Sequence, residues 1–178
     1  MFFVDAAHFV VGSFPGWLWC VVRLFVRAAS GRQRYNVLGA WNATNQELIR
    51  VTNHTYVTAE TVCELLRKIA ALGLGVPITL VLDNARYQRC ELVQSLAREL
   101  QIELLFLPSY SPNLNLIERL WKFTKKKALH CRHHTNYADF HEAIDRCLDQ
   151  IATEHKHEIS SLMTLSFQTF ENLPLLSA

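Results

Sequence analysis

The hydrophobic period of this chain changes once, near residue 58, and the change restricts the architectures open to it. Before that point the apolar residues lie in β-branched and aromatic runs. FFVDAAHFVV (2–11) reads as a strand, and GSFPG (12–16) breaks it. WLWCVVRLFV (17–26) reads equally as a strand or an apolar flap, and YNVLGAW (35–41) with ELIRVT (47–52) flanks NATNQ as a β-hairpin. Beyond residue 58 the spacing becomes helical. Val62, Leu65, Leu66, Ile69 and Leu72 follow a Thr58 start and stop at Gly73 and Gly75, and Leu92, Val93, Leu96 and Leu100 form a second stripe. Two short continuous apolar runs, PITLVLD (77–83) and IELLFL (102–107), alternate with these helices, as expected of parallel strands buried on both faces. IERLWKFTKKKALH opens a third helix. A fourth, roughly 137–152, turns Phe140, Ala143, Ile144, Cys147, Leu148 and Ile151 inward. Three strands followed by helix–strand–helix–strand–helix predict an α/β domain, a mixed sheet with helices on its faces. The ribonuclease H-like fold has this order of elements.

Composition narrows the function classes. A chain of 178 residues is about one domain long, and half hydrophobic with 19% charged is too apolar for a disordered tail. A net charge of +2 excludes a polyanion binder of the histone kind but leaves local patches open. Five cysteines, an odd set without a CxxC pair, fit reduced cytosolic thiols better than a disulfide framework. Asp5 interrupts the apolar start, so no signal peptide is expected. The 17–26 run carries Arg23 and falls short of the roughly 20 residues of a membrane span. The expectation is a soluble intracellular protein.

Three carboxylates stand where apolar patterning would not place them. Asp5 shares an alternating strand face with Phe3, Ala7 and Phe9, although a buried, unpaired charge is expensive; the bland alternative is an edge strand with Asp5 in water. Asp83 ends PITLVLD, at the strand end where open α/β sheets bind ligands, or else it or Asn84 caps the next helix. Glu118 completes a capping box with Asn115, or Ser111 caps and Pro112 takes the first helical position, leaving Glu118 facing the sheet. If the first strand neighbours PITLVLD, Asp5 and Asp83 converge and the third helix brings Glu118 beside them. Crowded carboxylates repel unless protons or cations neutralise them. Mg²⁺ or Mn²⁺ with hard oxygen ligands would do so, and two such ions form a clamp for in-line displacement at phosphorus.

VDAAHF, LDNARYQ and LPSYSPNLNLIERLWK, in this order, resemble the three motifs of DDE transposases of the mariner superfamily, most closely those of bacterial insertion sequences. The resemblance runs from residue 2 to about 150. It implies a metal-dependent DNA strand-cleaving and strand-transferring domain with Asp5, Asp83 and Glu118 as catalytic metal ligands for two Mg²⁺ or Mn²⁺ ions. It also implies double-stranded DNA as partner, a homodimer or a full-length transposase partner, no membrane, and a bacterial cytoplasmic, nucleoid-associated location. It sets YNVLGAW and ELIRVT beside the first strand and makes 12–34 an insertion and 155–178 a C-terminal extension of a single domain. Gln88 stands where many relatives have a His, so no role for that His carries over. The chain begins four residues before Asp5, so the family's amino-terminal helix-turn-helix region is expected to be absent. A catalytically silent remnant that binds DNA or a transposase is the alternative.

From Arg119 to Ala138 there is no acidic residue, and Arg119, Lys122, Lys125 and Lys126 are the expected DNA contacts, with a solvated helix face as the bland reading. His130, Cys131, His133 and His134 lack a second pair at zinc-site spacing. His8 is expected on the face opposite Asp5, and Trp17, Trp19 and Trp41 read as core or interface residues. Trp121 reads as packing the third helix onto the sheet.

Overall fold

Local turn chemistry sets the first half of the sheet and helical crossovers set the second. The computed structural model describes residues 1–11, 21, 33–108 and 111–167, apart from the Pro112 side chain; the flap at 17–26 except Val21, with Trp17 and Trp19, most of the 12–34 insertion, and the end of the C-terminal extension lie outside the described residues. β1 (Phe2–Val10), β2 (Arg34–Asn42) and β3 (Glu47–Asn53) form an antiparallel meander. The hairpin at NATNQ closes as Asn42 Oδ1 accepts from the Thr44 and Asn45 amides at 3.0 and 3.3 Å. α1 (Ala59–Ala70) leads to β4 (Ile78–Leu82), and α2 (Glu91–Glu99) to β5 (Ile102–Phe106). β4 pairs parallel to both β1 and β5, giving the order β3-β2-β1-β4-β5. α3 (Ile117–Thr124), α4 (Tyr137–Asp149) and α5 (Lys156–Leu162) complete the described chain.

The alternation of β1 divides the core. Phe3, Ala7 and Phe9 pack with Leu120, Trp121, Ile144 and Leu148 of α3 and α4. Phe2 and Val4 face α1 and α2, against Leu65, Leu66, Ile69 and Val93. Thr58 starts α1 as expected, its amide donating to the Thr61 hydroxyl at 3.2 Å, and Gly73 and Gly75 beyond its end adopt positive φ. The Tyr35 hydroxyl donates to both Asp145 oxygens at 2.7 Å, tying β2 to α4. Tyr35→Phe is expected to cost about 1 kcal/mol, read as a fall of a few degrees in thermal midpoint.

Two expectations need correction. Of the expected α2 stripe only Leu92 fails, at 52% exposed; Val93 is buried together with Ala97, and Leu96 and Leu100 pack partly buried against the same core. IELLFL is buried on one face only: β5 is an edge strand, and Leu105 is 47% exposed on the side that α3 and α4 do not reach.

Candidate active site

Parallel pairing of β1 with β4 brings the first two carboxylates together. Phe2, Phe3 and Val4 stand opposite Leu80, Val81 and Leu82. Continuing that register by one residue sets Asp5 beside Asp83, just where β4 ends and β1 runs on past it. Asp83 caps no helix, since α2 begins at Glu91 behind Cys90. Asn84 turns the chain there with φ 78°.

The third carboxylate arrives on α3. Neither helix start expected from sequence is formed. Pro112–Leu114 makes a separate 3-10 turn, with Leu114 N–H donating to Ser111 O at 3.0 Å. The Asn115 side chain does not cap α3; its amide donates to Val4 O at 3.0 Å. That bond fastens the start of α3 to β1 at the residue before Asp5, which leaves Glu118 in the first turn of α3, half-buried and not engaged by a capping box.

Electrostatics record the convergence. Asp5 is only 9% exposed. Its carboxyl is pushed up to about 7 by burial first, then by the charges of Asp83 and Glu118, against the Ala6 amide and the Trp121 indole, which favour the ionised form. The donor set of three hard carboxylate oxygens suits Mg²⁺ or Mn²⁺. Among the described residues no three His, Cys, Asp or Glu side chains stand together as a closed ligand set, the three carboxylates included. They sense one another's charge without closing a cage.

Sequence reasoning missed two residues here. Trp121 does pack α3 on the sheet, but its Nε1 also donates to Asp5 Oδ2 at 3.0 Å. Tyr87 lies near both aspartates, and burial together with the charges of Asp83 and Asp5 drives its phenol above its ordinary range. The signal for Tyr87 was its position in LDNARYQ, four residues after Asp83. Gln88 is fully buried, and its Oε1 accepts from the Ala85 amide at 3.1 Å, closing the loop after Asp83.

The basic run divides into three fates. Lys122, Lys125 and Lys126 are exposed and line a groove of about 490 Å³ with His8, Phe9 and His130. α3 passes there into a π turn (Lys125–Leu129), closed by His130 N–H donating to Lys125 O at 3.0 Å. Lys127 pairs with Glu158 at 2.8 Å. Arg119 departs from its expected role: its guanidinium donates to the carbonyls of Leu162, Thr164 and Ser166 at 3.1, 2.8 and 2.6 Å, holding the segment after α5. Although Arg119 shares the lysines' helical face, three backbone acceptors lie within its reach. His8 Nδ1 is bonded to Asn36 Oδ1 at 2.7 Å. His134 Nε2 is bonded to Ala128 O at 3.1 Å.

Residues 22–141, about two thirds of the chain, match the family model described as DDE superfamily endonuclease. The chain belongs to this family of DDE endonucleases. The matched span holds Asp83 and Glu118, while Asp5 precedes it. No curated protein sequence matches this DDE endonuclease. Among solved structures, it is similar in fold to the Mos1 transposase paired-end complex with left transposon end (TM-score 0.59, 12% identity, covering 91% of this chain and 55% of that one). It also resembles a chain of the simian T-cell lymphotropic virus intasome (TM-score 0.59, 16% identity, 86% and 48%). A third likeness is to the HTLV-2 integrase catalytic core domain in complex with magnesium (TM-score 0.55, 15% identity, 86% of both chains). The chain spans about half the length of the first two. The sheet order, the flanking helices and these likenesses agree on a ribonuclease H-like mixed sheet.

Proposed function

We propose that this DDE endonuclease is the single catalytic domain of an insertion-sequence transposase, cutting DNA and joining the freed end to a target. The observation that carries the reading is the Asp5–Asp83 alignment at the open end of β4, with Glu118 near enough to raise the Asp5 carboxyl. In the first step water attacks a phosphodiester phosphorus, a new P–O bond forms, and the 3′ oxygen leaves and takes a proton. In the second, that 3′-hydroxyl attacks a target phosphodiester and displaces its 3′ oxygen, so one ester replaces another and no energy donor is needed. Asp5, Asp83 and Glu118 are the proposed residues that would hold two Mg²⁺ or Mn²⁺ ions, and such ions would supply counter-charge to the reacting phosphodiester.

Lys122, Lys125 and Lys126 are the proposed phosphate contacts, one helical turn and more beyond Glu118. Arg119 is reassigned to the C-terminal segment. Replacing each lysine with Ala should lower the slope of log affinity against log salt by about 0.9 per lost contact on duplex DNA. Arg119→Ala should leave that slope unchanged while speeding proteolysis near residues 162–166. Double-stranded DNA, a second copy or a full-length transposase, and a bacterial cytoplasmic, nucleoid-associated setting complete the proposal. Among the described residues no helix is long and apolar enough to cross a membrane.

The deciding experiment is nicking of supercoiled DNA with Mg²⁺ or Mn²⁺, by the native chain and by Asp83→Asn. Divalent-dependent nicking lost in the variant supports the reading. Equal nicking in both, or none with any divalent ion, overturns it.

A further inference from the structure

Asp5 is held in place by a device that spans three elements. Its Oδ2 accepts from Trp121 Nε1 at 3.0 Å, a buried bond between residues 116 positions apart. A single N–H fixes the rotation of a carboxylate about its last torsion, so the second oxygen faces one direction instead of sampling several. The indole reaches Asp5 only because of the residue opposite. Asp5 pairs with Gly39 on β2, and a Cβ at Gly39 would stand 2.7 Å from Trp121 Cη2, 2.8 Å from Cζ2 and 3.0 Å from Ile117 Cδ1. Gly39 occupies the middle of a buried strand, where glycine weakens the sheet through its entropy and its missing side chain. The close approach of the Trp121 ring is what requires it.

We propose that Trp121 is a positioning residue for the Asp5 carboxylate, and that Gly39 is the slot admitting its indole. The role rests on the metal-nuclease reading above and deepens it. Packing alone would need the ring but not its N–H. Positioning needs the N–H at the right place, which Trp121→Phe removes and Gly39→Ala displaces. Phe123→Leu supplies the control, since it thins the same helix and core cluster away from Asp5.

The test measures Mn²⁺ binding directly, by the loss of the free-ion electron paramagnetic resonance signal on titration into each folded variant. The metal dependence of nicking is read in parallel. Trp121→Phe and Gly39→Ala should each weaken Mn²⁺ binding by about 10- to 100-fold, the usual effect of losing a partner that orients a ligand. Nicking should recover substantially at saturating Mn²⁺. Phe123→Leu should lower the thermal midpoint and leave Mn²⁺ affinity native. Native affinity in Trp121→Phe, with affinity lost in Asp5→Asn, overturns the positioning role and leaves the nuclease reading intact. Equal weakening in Phe123→Leu also overturns it, because general loosening would then suffice. If Asp5→Asn binds Mn²⁺ as tightly as the native chain, or the native chain binds none, both readings fall together.

Discussion

Asp83→Asn, Asp5→Asn and Glu118→Gln are each expected to slow DNA strand cleavage by roughly a thousandfold or more, about 4 kcal/mol of lost transition-state stabilisation. Each change keeps the side chain's shape and replaces an anionic oxygen donor with a neutral amide, a poor ligand for a hard divalent ion. The losses should not add, since in the proposed mechanism the three side chains serve one reacting phosphate and the first removal would already disable the site. Single-turnover cleavage under saturating DNA separates the chemical step from binding. Thermal melting supplies an independent reading: Mn²⁺ at about a hundred times its dissociation constant should add ~2.7 kcal/mol to native stability, and less to each variant. A variant that cleaves within tenfold of the native rate would remove that carboxylate from the site.

In chelator, Asp5→Asn is expected to be more stable than the native chain at pH 8, and the advantage should disappear near pH 4. The sign follows from the direction of the shift. The folded carboxyl titrates near 7 and the unfolded one near 3.8, so between these values the folded chain holds a proton that the unfolded chain releases. The Asp5 contribution to native stability therefore falls as pH rises from about 4 to 7, and its full penalty stands above 7. A shift of this size corresponds to a penalty on the order of 4 kcal/mol. That corresponds to roughly 10 °C in thermal midpoint for a chain of this length. The Asn amide carries no charge and has an oxygen able to accept from Trp121, so the substitution removes the penalty while keeping an acceptor in place. Circular-dichroism melts from pH 4 to 8.5 would measure it. A difference between the two chains that does not change with pH would mean that burial and the neighbouring charges do not raise the Asp5 carboxyl. Divalent ions should reverse the order at pH 8, because a bound cation favours the carboxylate.

Much of this architecture was legible before any coordinates. The period change near residue 58, the NATNQ hairpin and the Thr58 start all depend on residues close in sequence, and each formed where expected. The strand face shared by Phe3, Asp5, Ala7 and Phe9 was legible too, because alternation along a strand is a local property. Legibility ended where a residue's environment depended on a distant element. IELLFL has the apolar composition of a central strand, yet lies at an edge, since sequence patterning cannot count how many strands follow. Leu92 looks like part of a helical stripe, but which side of α2 meets the sheet is settled by packing. The helical spacing of Arg119, Lys122 and Lys126 implied one shared task. The carbonyls that capture Arg119 belong to a segment more than 40 residues away, and helical spacing alone does not place them near it.

The sequence by itself determined which elements form and which carboxylates interrupt them, because burial period and turn chemistry act over a few residues. The tertiary structure decided that Asp5 lies beside Asp83, that Asn115 ties α3 to β1, and that an indole threads past Gly39 to reach a carboxylate. Those outcomes depend on strand order and on approaches between residues up to 116 positions apart. Such approaches are chosen by how two faces of one sheet are filled, a property of the assembled core that no local stretch of chain contains.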